Sequence, residues 1–164
     1  GSFIPGQFEN DANALAHYRG TGPEIWAQTG GKVDIFVAGV GTGGTISGTG
    51  RFLKEQNPSI RIVAVEPESS PLLSQGQAGP HGIQGIGANF VPAILDAALL
   101  DEVLRVTDED AFAETRRLHA LGIPAGISAG ANVHAARVLA ARHPWKTIVT
   151  ILPDHADRYA SMGV

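Results

Sequence analysis

Apolar and polar positions change period several times along the chain, and each change marks an element. Val33–Ala38 is a short apolar run bounded by glycines and reads as a buried strand. Ile60–Val65 alternates and is rich in β-branched residues, which predicts a second strand. Val103–Val106 and the apolar run Thr147–Leu152 supply two more. Helices are predicted over Ala12–Tyr18, over Pro23–Gln28 with Pro23 near its first position, over Gly44–Gln56 ending before Asn57-Pro58, and over Ala129–His143. "TDEDAFAETRRLHALG" (107–122) carries the clearest helical signal. Thr107 can cap it, acids fill its first turn, Arg116 and Arg117 lie toward its end, and Gly122 stops it. Residues 1–11 read as irregular. Residues 67–92, rich in Pro, Gly, Ser and Gln, read as a long functional loop with one short helix at Ser70–Ser74. Strands alternating with helices imply an α/β fold: a mostly parallel sheet covered by helices on both faces.

Composition narrows the function classes. The 164 residues suit a single domain, which at this size buries roughly 70% of its unfolded surface. Net charge is −4 and the basic residues are scattered, which argues against a nucleic-acid surface. No run of about 18 apolar residues and no charged-then-apolar leader occurs, so no membrane partner is expected. With no cysteine, disulfides and thiolate metal sites are excluded, and a cytoplasmic location fits. The six histidines show no ligand spacing, so no metal site is expected. "GISAG" misses the nucleophile elbow because its serine is shifted relative to the glycines. Asp108, Glu109 and Asp110 sit at a helix start, where the dipole accounts for them.

Glycine is the outlier, with 21 residues against a typical ~7%. Gly39-x-Gly41-x-x-Gly44 follows the first predicted strand and matches the dinucleotide fingerprint, and Glu66 ends the next strand where an acid would hold a ribose hydroxyl. Thr42 and Thr45, however, place two hydroxyls in the same turn. A terminal monophosphate can use many donors converging on one group, whereas a pyrophosphate relies more on backbone. Spacing leaves the two phosphates nearly even; the side chains tilt toward the monophosphate. A tight strand-to-helix turn with no ligand is the third reading.

Six ordered stretches then look familiar together: "QFENDAN" (Gln7–Asn13), "TGPEIW" (Thr21–Trp26), "VAGVGTGGT" (Val37–Thr45), "AVEP" (Ala64–Pro67), "GPHGIQGIGANF" (Gly79–Phe90) and "GISAGA" (Gly126–Ala131). In this order the chain resembles the cysteine synthase (O-acetylserine sulfhydrylase) family. These are pyridoxal-phosphate enzymes of the tryptophan-synthase-β fold type, with cystathionine β-synthase a near relative. The resemblance implies that Gly41, Thr42, Gly43, Gly44 and Thr45 grip the phosphate of pyridoxal 5'-phosphate. It implies that the Ser128 hydroxyl meets the pyridine nitrogen and that Gly85, Ile86 and Gly87 pass the substrate side. A neutral hydroxyl at the ring nitrogen leaves it largely unprotonated, which suits β-elimination followed by nucleophile addition. Ser128 also reads as the cap of a helix starting near Ala129. Glu66 loses its ribose role under this reading. Asn89 stands where the family usually has glycine, and His155-Ala156 departs from the family pattern after Leu152-Pro153; His155 reads as a substituted pocket residue or an exposed loop histidine.

The resemblance also implies a Schiff-base lysine in an N-terminal segment. Lys32, Lys54 and Lys146 stand in no such context and read as solvated surface charge, and no "SGNTG"-like stretch occurs. Residues 1–164 are therefore expected to be one incomplete α/β domain, the phosphate-binding lobe, with no catalytic residue of its own and a complementary N-terminal segment as partner. "GSFIPGQFEN" looks like the middle of a family member, so Gly1 is not expected to be a natural start unless Gly-Ser is a cloning scar. The expected activity of the full enzyme joins an O-activated serine to sulfide or a thiol, in a homodimer. The rival is a dinucleotide-binding domain or a non-catalytic remnant.

Overall fold

Four strands, β1 (Ile35–Gly39), β2 (Arg61–Pro67), β3 (Glu102–Val106) and β4 (Ile148–Thr150), pair in parallel in the order β3-β2-β1-β4. The computed structural model describes residues 2–162, so Gly1 lies outside the described residues. Register follows the side-chain pattern, with Val37 beside Val63 and Thr150 and with Ala64 beside Val103. Helices α1 (Ala12–Arg19), α2 (Thr21–Gln28) and α3 (Gly44–Gln56) lie toward one face; α5 (Asp108–Ala120) and α6 (Ile127–Arg142) cover the other. A single turn, α4 (Leu72–Gln75), interrupts the long loop.

Because successive strand side chains point to opposite faces, each strand feeds two cores. Ile35, Val37, Val63 and Val65 pack with Ile127, Ala131, Ala135 and Leu139 of α6. Phe36, Ala38, Ile62 and Ala64 pack with Ile46 and Leu53 of α3. Phe36 is fully buried, and its truncation to alanine costs about 3–5 kcal/mol by the usual cavity relation. The α/β expectation holds, with both faces covered.

Several boundaries move for local reasons. β4 is shorter than Thr147–Leu152 because the Ile151 carbonyl accepts from Asn132 Nδ2 (3.0 Å) instead of joining the ladder. The strand expected over Val33–Ala38 becomes Ile35–Gly39, since the Asp34 carboxylate is taken by the Thr147 amide (2.8 Å) and Lys146 (2.9 Å). α2 starts at Thr21, so Pro23 is its third residue; first-turn amides have no helical acceptor, and the missing N–H costs nothing there. α4 begins at Leu72 rather than Ser70, because the Glu66 carboxylate accepts from the amides of Leu73 (2.7 Å) and Ser74 (3.2 Å). In α5, Thr107 caps as expected, its hydroxyl accepting from the Asp110 amide at 3.0 Å. α6 begins at Ile127 after an extended Gly126, so Ser128 lies inside the first turn and does not cap.

Candidate functional site

Strand order reverses at β1: the chain passes through α3 to β2 on one side and returns through α6 to β4 on the other. Open parallel sheets place ligands outside the carboxyl ends of the strands at such a switch point. A cleft of about 240 Å³ lies there. Gly39 at the end of β1 and Gly41 after it, Gly85 and Ile86 from the long loop, Ser128 and Asn132 of α6, and the segment after β4 line it.

The glycine loop turns directly into α3. Gly43 is left-handed (φ 86°), and a Cβ there would lie 2.9 Å from Leu95 Cβ. A side chain at Gly41 would collide with the Gly85 carbonyl, so two loops expected to share a ligand touch backbone to backbone. Among the described residues, the amides of Gly41, Thr42 and Gly43 donate to no protein acceptor, and Thr45 stands in the unpaired first turn of α3. Orphan donors at a helix start attract an anion. The cradle therefore fits a phosphate group, and Thr42 and Thr45 also face the cleft.

Across the cleft, Ser128 is buried and donates its hydroxyl proton to Asp154 Oδ1 at 3.1 Å. The same carboxylate accepts from the Ala129 amide (3.3 Å) and the Tyr159 hydroxyl (2.6 Å). Burial, together with the hydrogen bond to Asp154 and its charge, pushes the Tyr159 phenol up to about 12. Asn132, one turn beyond Ser128, accepts from the Gly39 amide at 2.8 Å and so ties α6 to the end of β1.

Of the residues singled out from sequence, Gly41, Thr42, Gly43, Thr45, Gly85, Ile86 and Ser128 line this cleft together. Gly44 stands behind it as the first residue of α3, packed against Asn13. Gly87 also lies behind the wall; its amide donates to the Val40 carbonyl and its carbonyl meets His81 Nε2 at 2.8 Å. Asn89 takes the left-handed conformation (φ 63°), which asparagine tolerates, and its Oδ1 accepts from Ser70 Oγ at 2.8 Å. His155 is the exposed loop histidine, facing Asp157 at 3.2 Å. Glu66 is buried and capped onto α4, with the Ser74 hydroxyl also bonded to it, so Glu66 does not face the glycine loop. Among the described residues no lysine lines the cleft. Lys146 pairs with Asp34, and Lys54 is mostly covered in a 2.8 Å pair with Asp101, a correction to its reading as solvated charge.

Asn132, Asp154, Arg158 and Tyr159 also line the cleft and were not singled out from sequence. Asn132 had a signal: a buried amide four residues after Ser128 in an alanine-rich helix. Asp154 and Tyr159 had only the family pattern after Leu152-Pro153 as a signal, and their places depend on how the chain turns after β4. No group of acids and histidines capable of holding a metal occurs among the described residues. No helix there is long and apolar enough to cross a membrane.

Comparison with known proteins agrees with this geometry. Residues 1–154 match the family described as pyridoxal-phosphate dependent enzyme. Cysteine synthase B of Campylobacter jejuni is 54% identical over 160 residues, which cover 98% of this chain and 54% of that protein. A hydrogen sulfide-producing enzyme from Fusobacterium nucleatum superposes with a TM-score of 0.93 at 44% identity, covering 96% of this chain and 54% of that one. O-acetyl serine sulfhydrylase isoform 3 from Entamoeba histolytica gives a TM-score of 0.93 at 44% identity, covering 97% and 48%. The chain thus spans about half the length of the curated relatives it matches. Site geometry, sequence match and superposition converge: this chain belongs to the pyridoxal-phosphate dependent enzyme family.

Proposed function

We propose that this chain is the phosphate-binding lobe of a β-replacement enzyme that makes cysteine, or a related sulfur amino acid, from O-acetylserine or another O-activated serine and sulfide or a thiol. One observation carries the reading: orphan amides at Gly41, Thr42 and Gly43 share a cleft with two threonine hydroxyls and with Ser128. The amides and the hydroxyls of Thr42 and Thr45 bind the phosphate, with Gly44 letting α3 start close to it. Ser128 faces the ring nitrogen. Gly85 and Ile86 border the substrate side, and Gly87 holds their loop against Val40. When bound, pyridoxal phosphate supplies the electron-withdrawing ring that β-replacement requires. The lysine belongs to a complementary segment, N-terminal under the family resemblance, and the full enzyme works as a cytoplasmic homodimer.

Titration with pyridoxal 5'-phosphate, pyridoxal and NAD tests the reading. The phosphate ester is expected to bind, inorganic phosphate to compete with it, and NAD not to bind. A Glu66→Gln variant should lose stability but keep its affinity for the ester, since Glu66 only caps α4. Equal affinity for pyridoxal and its phosphate, or an NAD complex weakened by Glu66→Gln, would overturn it. With the complementary segment supplied, cysteine should form from O-acetylserine and sulfide. Alone, the chain should yield no stoichiometric pyridoxyl-lysine after borohydride reduction.

A further inference from the structure

The two hydroxyls of the phosphate cradle are each met from behind by a side chain of α1. Asn13 Nδ2 donates to Thr42 Oγ1 at 2.9 Å and to the Gln7 carbonyl at 2.8 Å. One turn later, His17 Nε2 lies 3.2 Å from Thr45 Oγ1, and its Nδ1 lies 2.8 Å from Thr21 Oγ1. Asparagine and histidine four residues apart share one helix face, and that face lies on α3. Close approach is possible because α3 offers glycines there. A side chain at Gly44 would occupy the place of the Asn13 amide, and one at Gly48 would strike the Ala14 carbonyl.

The hydrogen-bond roles can be worked out atom by atom. The Gln7 carbonyl can only accept, which fixes the Asn13 amide with its NH₂ toward Gln7 and Thr42. Thr42 Oγ1 therefore accepts from Asn13, and a longer contact of 3.4 Å from the Gly44 amide occupies its second lone pair. What remains to Thr42 is its proton, and the cleft is where that proton is free to go. Thr45 follows the same logic when His17 carries its proton on Nε2, with Nδ1 accepting from Thr21. Burial pushes the His17 imidazole below its ordinary value, so the ring is neutral near pH 7 and has a single N–H to place.

We infer that Asn13 and His17 are positioning residues that turn the hydroxyls of Thr42 and Thr45 into dedicated donors toward a bound phosphate. The inference rests on the phosphate reading proposed above and deepens it. Neither residue touches the phosphate; each acts through a threonine. An anion beside Thr45 selects the Nε2–H form of His17, because the other form would spend the Thr45 proton on the ring.

Binding of inorganic phosphate, pyridoxal 5'-phosphate and unphosphorylated pyridoxal, each measured by calorimetry, tests this on the chain as it stands. Asn13→Leu and His17→Phe should each weaken both phosphate probes on the order of tenfold, the worth of one hydrogen bond to a charged group. They should leave pyridoxal unchanged. His17→Gln, whose amide can donate from nearly the same place as Nε2, should keep most of the affinity. In a Thr42→Val background, Asn13→Leu should cost nothing more, because its route to the phosphate is gone. If Asn13→Leu costs as much in that background as in the wild-type chain, or pyridoxal weakens equally, the two side chains only brace the fold and the inference fails. A wild-type chain that binds pyridoxal 5'-phosphate no better than pyridoxal overturns the phosphate reading itself, and this inference with it.

Discussion

Ser128 Oγ donates to Asp154 Oδ1 across 3.1 Å, so the one proton on that hydroxyl is held by a carboxylate in the same cleft. From sequence, a neutral serine at the ring nitrogen implied a largely unprotonated ring. While that proton points at Asp154, Ser128 offers a ring nitrogen only lone pairs; rotated toward the ring it donates, and Asp154 keeps the Ala129 amide and the Tyr159 hydroxyl.

Under the proposed role of Ser128, the hydroxyl turns its proton to the ring nitrogen and a bound pyridine ring is expected to stay largely unprotonated, with the nearby Asp154 charge drawing it part of the way toward the protonated form. The ultraviolet spectrum of bound pyridoxine 5'-phosphate, compared with the free compound across pH, reads the ring's state. Asp154→Asn should shift the bound ring toward the unprotonated form. Identical spectra in the two proteins would remove Asp154 from any part in it.

Tyr159 provides a second readout of the same carboxylate. Burial keeps its phenol high, and the bond to Asp154 adds to this, for a value of about 12. Because the folded value lies above the unfolded ~10, the contribution to stability is complete below pH ~10 and is lost as pH rises toward 12. Asp154→Asn should bring the tyrosinate midpoint down while burial holds it above ~10. A Tyr18→Phe background isolates the signal, since the chain has two tyrosines.

Gly41→Ala should abolish phosphate-dependent binding. Its methyl group would run into the Gly85 carbonyl, which is backbone and cannot rotate away, so the two loops must separate. Calorimetry should show affinity for pyridoxal 5'-phosphate falling at least a hundredfold, a few kcal/mol. Thermal stability should fall by only about 1–3 kcal/mol.

Acid sensitivity should trace in part to Glu114. Its carboxylate is buried between α5 and α6, 2.8 Å from Arg117 and 2.7 Å from Arg137. Burial alone would raise its pKa, but the two guanidiniums overcome this and hold it below the usual carboxylate range. A lowered folded value means stability that is present above the unfolded pKa and lost as pH falls through the folded one. Glu114→Gln should lower stability near pH 7 by about 1–2 kcal/mol and flatten the acid limb of a melting-temperature–pH curve. An unchanged acid limb would place the titration elsewhere.

By itself, the sequence determined what short-range physics can encode. An apolar run between glycines gave β1, alternation of β-branched residues gave β2, the Thr107 cap and its acids gave α5, and the glycine loop with Thr42 and Thr45 marked a candidate phosphate cradle beside the cleft. Each is a property of a few neighbouring residues: side-chain period, a cap, a backbone without Cβ. Ser128, Gly85 and Ile86 were named by resemblance, and tertiary structure alone brought them into one cleft. It also decided the roles that depend on partners far along the chain. Glu66 could have held a ribose until the loop after β2 folded α4 onto it, and Ser128 gained a carboxylate partner only because the turn after β4 delivers Asp154. Asn13 and His17 met the threonines because α1 lands on the glycine face of α3. Those pairings arise from which faces of distant elements pack together, and no local pattern carries that information.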